Sequence, residues 1–233
     1  MTFRYFLIPI CQGILAIVLF FHHSCGPGTS EAGNPDDEYE RGTFGYDLTF
    51  LMKFDKPVVL KSKNGSGQVI VSPKYQGKVL TSTAQGNSGI SFGWINYDAI
   101  ASEELSQQIN LYGGEDRLWL GPEGGQFSIF FGPGTPMNFE NWITPAPIDY
   151  EEWDLKSASE NVVEVEKEMN LANYSGTDFH LRLNRKITLL EQEQIESVLK
   201  VSVGGDLDFV GYETENIITN LGHHDWTKES GTL

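Results

Sequence analysis

The chain has 233 residues and sets 32 Asp and Glu against 16 Lys and Arg, a net charge of −16 at pH 7. That balance argues against a nucleic-acid partner, because neutralising phosphates takes a basic surface. Cys11 and Cys25 are the only cysteines; once a leader carrying Cys11 is removed, no internal disulfide is possible, and stability must come from a hydrophobic core.

In chain order, the first segment sets the address. Arg4 precedes an apolar run from Tyr5 to Phe21, interrupted only by Gln12 and Gly13, which ends at His22-His23 and Gly26-Pro27-Gly28. A membrane-spanning helix needs about 20 apolar residues with suitable flanks, so residues 1–24 read as a signal peptide. Ser24-Cys25 at the end of the apolar core resembles the lipobox of bacterial lipoproteins, although His22 stands where that pattern favours an aliphatic residue. The resemblance implies lipid attachment at Cys25 and a membrane-anchored protein of a Gram-negative-type cell envelope. Residues 25–43 contain no large aliphatic side chain and read as a flexible tether.

The folded part is expected over residues 44–233. Short β-rich runs alternate there with turn chemistry: DLTFLMKF, PVVLKS, the Asn64-Gly65 turn, QVIVSP, KVLTST and ISFGWI. Asn-Gly between apolar runs is a strong hairpin signal. Strands spaced by about ten residues predict an all-β sandwich or barrel. Residues 98–109 form the clearest helical candidate in the first half. RLWLGPE and GQFSIFFG follow, then a Pro-rich loop over 132–147. Period-two alternation returns in NVVEVEKEMNLAN and DFHLRLNRKITLL, where Phe179, Leu181 and Leu183 oppose His180, Arg182 and Asn184. Residues 191–199 have the composition of a short helix.

The densest chemistry lies in residues 111–126, LYGGEDRLWLGPEGGQ, with five glycines, three acids, Arg117 and Trp119. Glycine at that density lets backbone approach another group closely. Arg117 and Glu123 could hydrogen-bond a sugar's edge while Trp119 offers an aromatic face. The strand GQVIVSPKYQGKVLTST, the block GGEDRLWLGPEGGQFSIFFGPG and the later ENIITNLG resemble the galactose-mutarotase-like (aldose 1-epimerase-like) superfamily, and within it an uncharacterised lipoprotein branch from Bacteroidetes-type bacteria. That resemblance implies an all-β supersandwich whose concave face binds a monosaccharide or a glycan end. It also implies histidines that open and reclose the sugar ring by acid and base catalysis. His180, and His223 or His224 in ITNLGHHDW, are the catalytic candidates; Arg117, Trp119, Glu123 and Arg182 are the ligand-binding candidates. In the superfamily the base-supplying carboxylate lies beyond the position of Leu233, so the chain reads as an incomplete copy of the fold. The non-catalytic alternative is a glycan-binding or structural envelope lipoprotein.

No phosphate-binding loop or nucleophile elbow is present, and no cofactor is expected. His223 and His224 are adjacent on an extended segment and point to opposite sides, so no metal site is read there.

Overall fold

The structure, a computed structural model, describes residues 38–229 and residue 231. The signal peptide, Cys25 and most of the tether lie outside the described residues. Among the described residues, no helix is long and apolar enough to cross a membrane.

The fold is all-β and is built on two antiparallel sheets. The first holds β1 (Val58–Lys61), β2 (Gln68–Ser72) and β3 (Lys78–Thr83) in that order. The Asn64-Gly65 turn joins β1 to β2 as its sequence requires. Gly65 takes the left-handed conformation, and Asn64 Oδ1 accepts from Ser66 N at 3.0 Å. The second sheet holds β4 (Asp154–Ala158), β5 (Val162–Ala172), β6 (Asp178–Leu189) and β7 (Tyr212–Asn220), also in sequence order.

Alternation decides which face of the second sheet is covered. On β5, Val163, Val165, Met169 and Leu171 are buried, and on β6 so are Phe179, Leu181, Leu183, Ile187 and Leu189. These pack with Leu60, Val69, Val71 and Val79 of the first sheet into one core. β2 and β3 are buried at every position, which means that the first sheet is covered on both sides. Its other face, through Ile70 and Leu80, meets a layer formed by α1 (Phe44–Leu51) and α2 (Tyr97–Ser102).

α1 departs from the sequence expectation, since DLTFLMKF reads as a strand. The capping chemistry upstream prevails: Thr43 Oγ1 accepts from Tyr46 N at 3.4 Å, and Phe44, Leu48 and Leu51 fall on one helical face against the core. Asp47 in its first turn is buried and accepts hydrogen bonds from the Ser91 and Tyr97 hydroxyls. α2 is shorter than the expected 98–109 helix, ending at Glu103 in a left-handed conformation. α3 (Gln192–Leu199) forms where helical composition predicts it, closed by a capping box between Glu191 and Gln194.

The expected strand ISFGWI is absent and contributes only isolated bridges through Ile90 and Ile95; RLWLGPE and GQFSIFFG enter no sheet either. In the last run Ile129, Phe130 and Phe131 are buried consecutively, which a strand with one solvated face cannot do. The backbone there is met piecemeal, Ile143 N donating to Phe130 O and Tyr174 N to Ser128 O.

Candidate ligand-binding site

The Gly113-Gly114 pair positions a cleft of ≈ 310 Å³. A Cβ on Gly113 would lie 2.1 Å from Trp94 O and 3.1 Å from the Trp94 ring, and one on Gly114 would lie 2.6 Å from Lys78 Cδ and 2.9 Å from Val79 O. Both glycines have positive φ. Two consecutive residues without side chains therefore let this segment wedge between the start of β3 and Trp94. Gly114 N donates to Trp94 O at 2.8 Å, and Glu115 N to Val79 O at 2.9 Å.

Three acids near the cleft are already engaged by protein donors. Glu115 accepts from Ser82 N at 2.7 Å, from the Ser82 hydroxyl at 2.9 Å and from the Tyr212 hydroxyl at 3.2 Å. Asp116 pairs with Arg185, which is 1% exposed and also donates to Gly77 O and Asn216 Oδ1, both at 3.0 Å. Asp149 accepts from Asn110 N at 3.0 Å and from Asn110 Nδ2 at 2.6 Å.

The cations that line the cleft are arranged otherwise. Lys78 is 3% exposed, yet among the described residues its ammonium makes no hydrogen bond and no ion pair; what faces it is the Tyr112 ring, 6.0 Å from Nζ to centroid. Burial, reinforced by the nearby Arg117 charge, pushes the amine down from 10.5 to about 8, and Asp149 only partly offsets this. Arg117 also makes no hydrogen bond or ion pair among the described residues. Its guanidinium lies 4.0 Å over the Trp119 ring, and burial lowers its affinity for the proton. Burial raises Tyr112, with Asp149 adding to the shift, so its hydroxyl stays protonated and able to donate. Trp94, 63% exposed, forms part of the cleft wall.

The residues singled out from sequence fall in three places. Arg117 is in the cleft. Trp119 and Glu123 lie in the adjoining segment, where Trp119 Nε1 donates to Glu123 Oε1 at 3.0 Å. The Trp119 ring is stacked with Phe130, and Phe130 in turn with Trp142; with Arg117 on it as well, this indole belongs to a ring stack beside the cleft and is not a bare platform. His180 and Arg182 project from the outward face of β6, opposite the side from which Arg185 reaches Asp116. There His180 Nε2 meets Glu168 Oε1 at 2.7 Å and Arg182 Nη2 meets Glu168 Oε2 at 3.4 Å. His223 and His224 are exposed in the turn after β7, adjacent to the His180 backbone, whose carbonyl accepts from Leu221 N at 2.8 Å. The structure thus places the three histidines near one end of β6 and β7 and brings none of them into the cleft with Arg117.

Lys78, Tyr112 and Trp94 are the cleft residues that sequence reasoning passes over. KVLTST reads as a strand with nothing to set its lysine apart, and Trp94 reads as core or sheet-edge packing. The one available signal was Arg185, a charge in register with Phe179, Leu181 and Leu183 on the inward face, which demands a buried acidic partner.

Fold and cleft together define a two-sheet antiparallel β-sandwich protein with a polar, aromatic-edged recess beside its first sheet. The chain belongs to a family of unknown function (DUF6786), whose family model matches residues 42–233. No curated protein and no solved structure matches it.

Proposed function

We propose that this protein is an exported, lipid-anchored binder of carbohydrate, and that the sugar sits in the cleft between β3 and the Gly113-Gly114 segment. The observation that carries this reading is the conjunction of an exposed indole, Trp94, with three donors that have no hydrogen-bond acceptor among the described residues: Lys78 Nζ, the Arg117 guanidinium and the Tyr112 hydroxyl. Sugars present an apolar C–H face and a polar hydroxyl edge, and an aromatic ring beside unfilled donors complements both. The likeness of GGEDRLWLGPEGG and its flanking strands to galactose-mutarotase-like proteins supports the same ligand class and a supersandwich architecture. Ring opening by histidine has less support than binding, because none of the three histidines placed in the structure lines the recess. A lipid on Cys25 would hold the recess at the surface of the cell envelope.

The test is glycan binding by the full chain in mild detergent, compared with Trp94→Ala. Loss of about tenfold in affinity, with an unchanged melting temperature, is expected for removal of an exposed stacking surface. Undiminished binding by the variant would move the sugar elsewhere. The anchor is tested separately: metabolic labelling with a radioactive fatty acid should mark the wild-type chain and not Cys25→Ala.

A further inference from the structure

We propose that the cleft selects a saccharide carrying an oxyanion, a uronic acid carboxylate or a sulfate ester, which docks between Lys78 and Arg117. This rests on the carbohydrate reading above and narrows it to a ligand class. A chain with a net charge of −16 places two cations in one recess, each without a hydrogen-bonded counter-ion among the described residues. A buried ammonium left unpaired is costly, and protein interiors otherwise pair such groups.

The acids nearby do not supply the missing partner. Glu115 is held by Ser82 and Tyr212, Asp116 by Arg185, and Asp149 by Asn110. Glu123, whose charge Arg117 feels, holds the Trp119 indole. Asp149 acts on both cations and Glu123 on Arg117, but among the described residues neither acid forms an ion pair or hydrogen bond with them, so the N–H donors of both cations stay open to an incoming oxyanion. The acid also fits the mixed character of the recess: Trp94 receives the sugar's apolar face while the oxyanion turns inward to Lys78. Burial of that lysine, which makes it costly in the free protein, is what makes its bond to an anion strong once water is excluded.

The test measures affinities of the full chain by calorimetry for matched methyl glycosides in the gluco, galacto and manno series, each as the neutral sugar, the uronic acid and the 6-sulfate. The acidic form of at least one series should bind about tenfold or more tighter than its neutral counterpart, and which acid is preferred assigns carboxylate or sulfate. Lys78→Met and Arg117→Gln should each bring the acidic sugar down to the affinity of the neutral one. Because the amine titrates near 8, the preference should also fade above that pH while neutral binding holds; Arg117, Asp149, Tyr112, Glu115 and Asp116 are the ionisable groups around it. Equal affinity for neutral and acidic sugars overturns the inference and leaves the carbohydrate reading standing. An acid preference that survives both substitutions overturns the assignment to these two residues, and binding of no sugar at all overturns both readings.

Discussion

Two regions of this molecule concentrate charge, and they handle it in opposite ways. On the outward face of the second sheet, acids stand across the strands from cations or an amide donor: Glu168 pairs in register with Arg182, Glu164 with Lys186 and Glu166 with the neutral Asn184. Lys156 and Arg182 both reach Glu166, and His180 and Arg182 both reach Glu168. These bridges hold Glu166 and Glu168 below the ordinary carboxylate range, chiefly through the Asn184 and His180 hydrogen bonds respectively. Its members are at least partly solvent-facing, although Arg182 Nε itself is covered, so the ladder is a polar sheet surface of modest energetic weight. In the cleft, by contrast, Lys78 is buried and Arg117 half-buried, and among the described residues neither has such a partner. A charge that is exposed and paired explains itself through solubility and register, whereas one that is buried and unpaired points to something that arrives later.

The sharpest way to break the cleft is to remove an anion that the protein does supply. Asp116→Ala strands Arg185, which is buried on the inward face of β6 and has only neutral oxygens besides. Loss of one partner from a fully buried pair costs about 3–5 kcal/mol; with the Asp116 side chain 33% exposed, the cost should fall at or below the lower end of that range, and urea denaturation should register it as a lowered midpoint at similar slope. A variant as stable as the parent would mean that Arg185 finds another acid or reaches water.

Removing an unpaired cation should act in the other direction. Lys78→Met keeps the side-chain length and deletes the charge, and at pH 7 it should stabilise the free protein by about 1–3 kcal/mol. The sign follows from the amine's titration. The folded chain holds this proton with a value of about 8 and the unfolded chain with 10.5, so between those values the unfolded state binds more protons and stability rises with pH. Below about 8 the charged amine is present in both states and the full penalty applies. Near pH 10 the trend should turn, since Tyr75, Tyr97 and Tyr212 are all raised above the ordinary phenol value by burial and lose their advantage as the unfolded chain ionises. Parent and variant should therefore converge between pH 8 and 10. A destabilised Lys78→Met with no convergence would make Lys78 a structural residue with a protein counter-ion.

The contrast between the regions also explains what could be read from the sequence. β5 and β6 are legible because one of their faces is buried and the other solvated, so that the alternation of Phe179, Leu181 and Leu183 with His180, Arg182 and Asn184 writes the pleat directly. β2 and β3 are legible as apolar runs, but the same burial on both faces hides that Lys78 is inside. Its environment is set by Gly114 and Arg117, more than thirty positions away, and no local pattern reports it. α1 was obscured by β-forming residues in an eight-residue element, where a single Thr43 cap outweighs propensity. Trp119 stands out in its Gly-rich segment, but its membership of a ring stack depends on Phe130 and Trp142, which only the folded chain brings together.

The smallest effect belongs to the histidine face and decides whether it has any part in binding. His180→Ala removes one arm of an exposed, cross-strand contact whose other acceptor bond, from Arg182 to Glu168, remains. Thermal melting should be unchanged within error, because exposed pairs of this kind contribute little and are screened by salt. Sugar affinity should be unchanged too, since the side chain points away from the side of β6 on which Arg185 meets Asp116. Mutarotation of an aldose by the parent chain, abolished by His180→Ala, would instead place the chemistry on the outward sheet face. It would turn the Glu168–His180–Arg182 group from a solvated ladder into a catalytic one, and the comparison between the two regions would then have to be reversed.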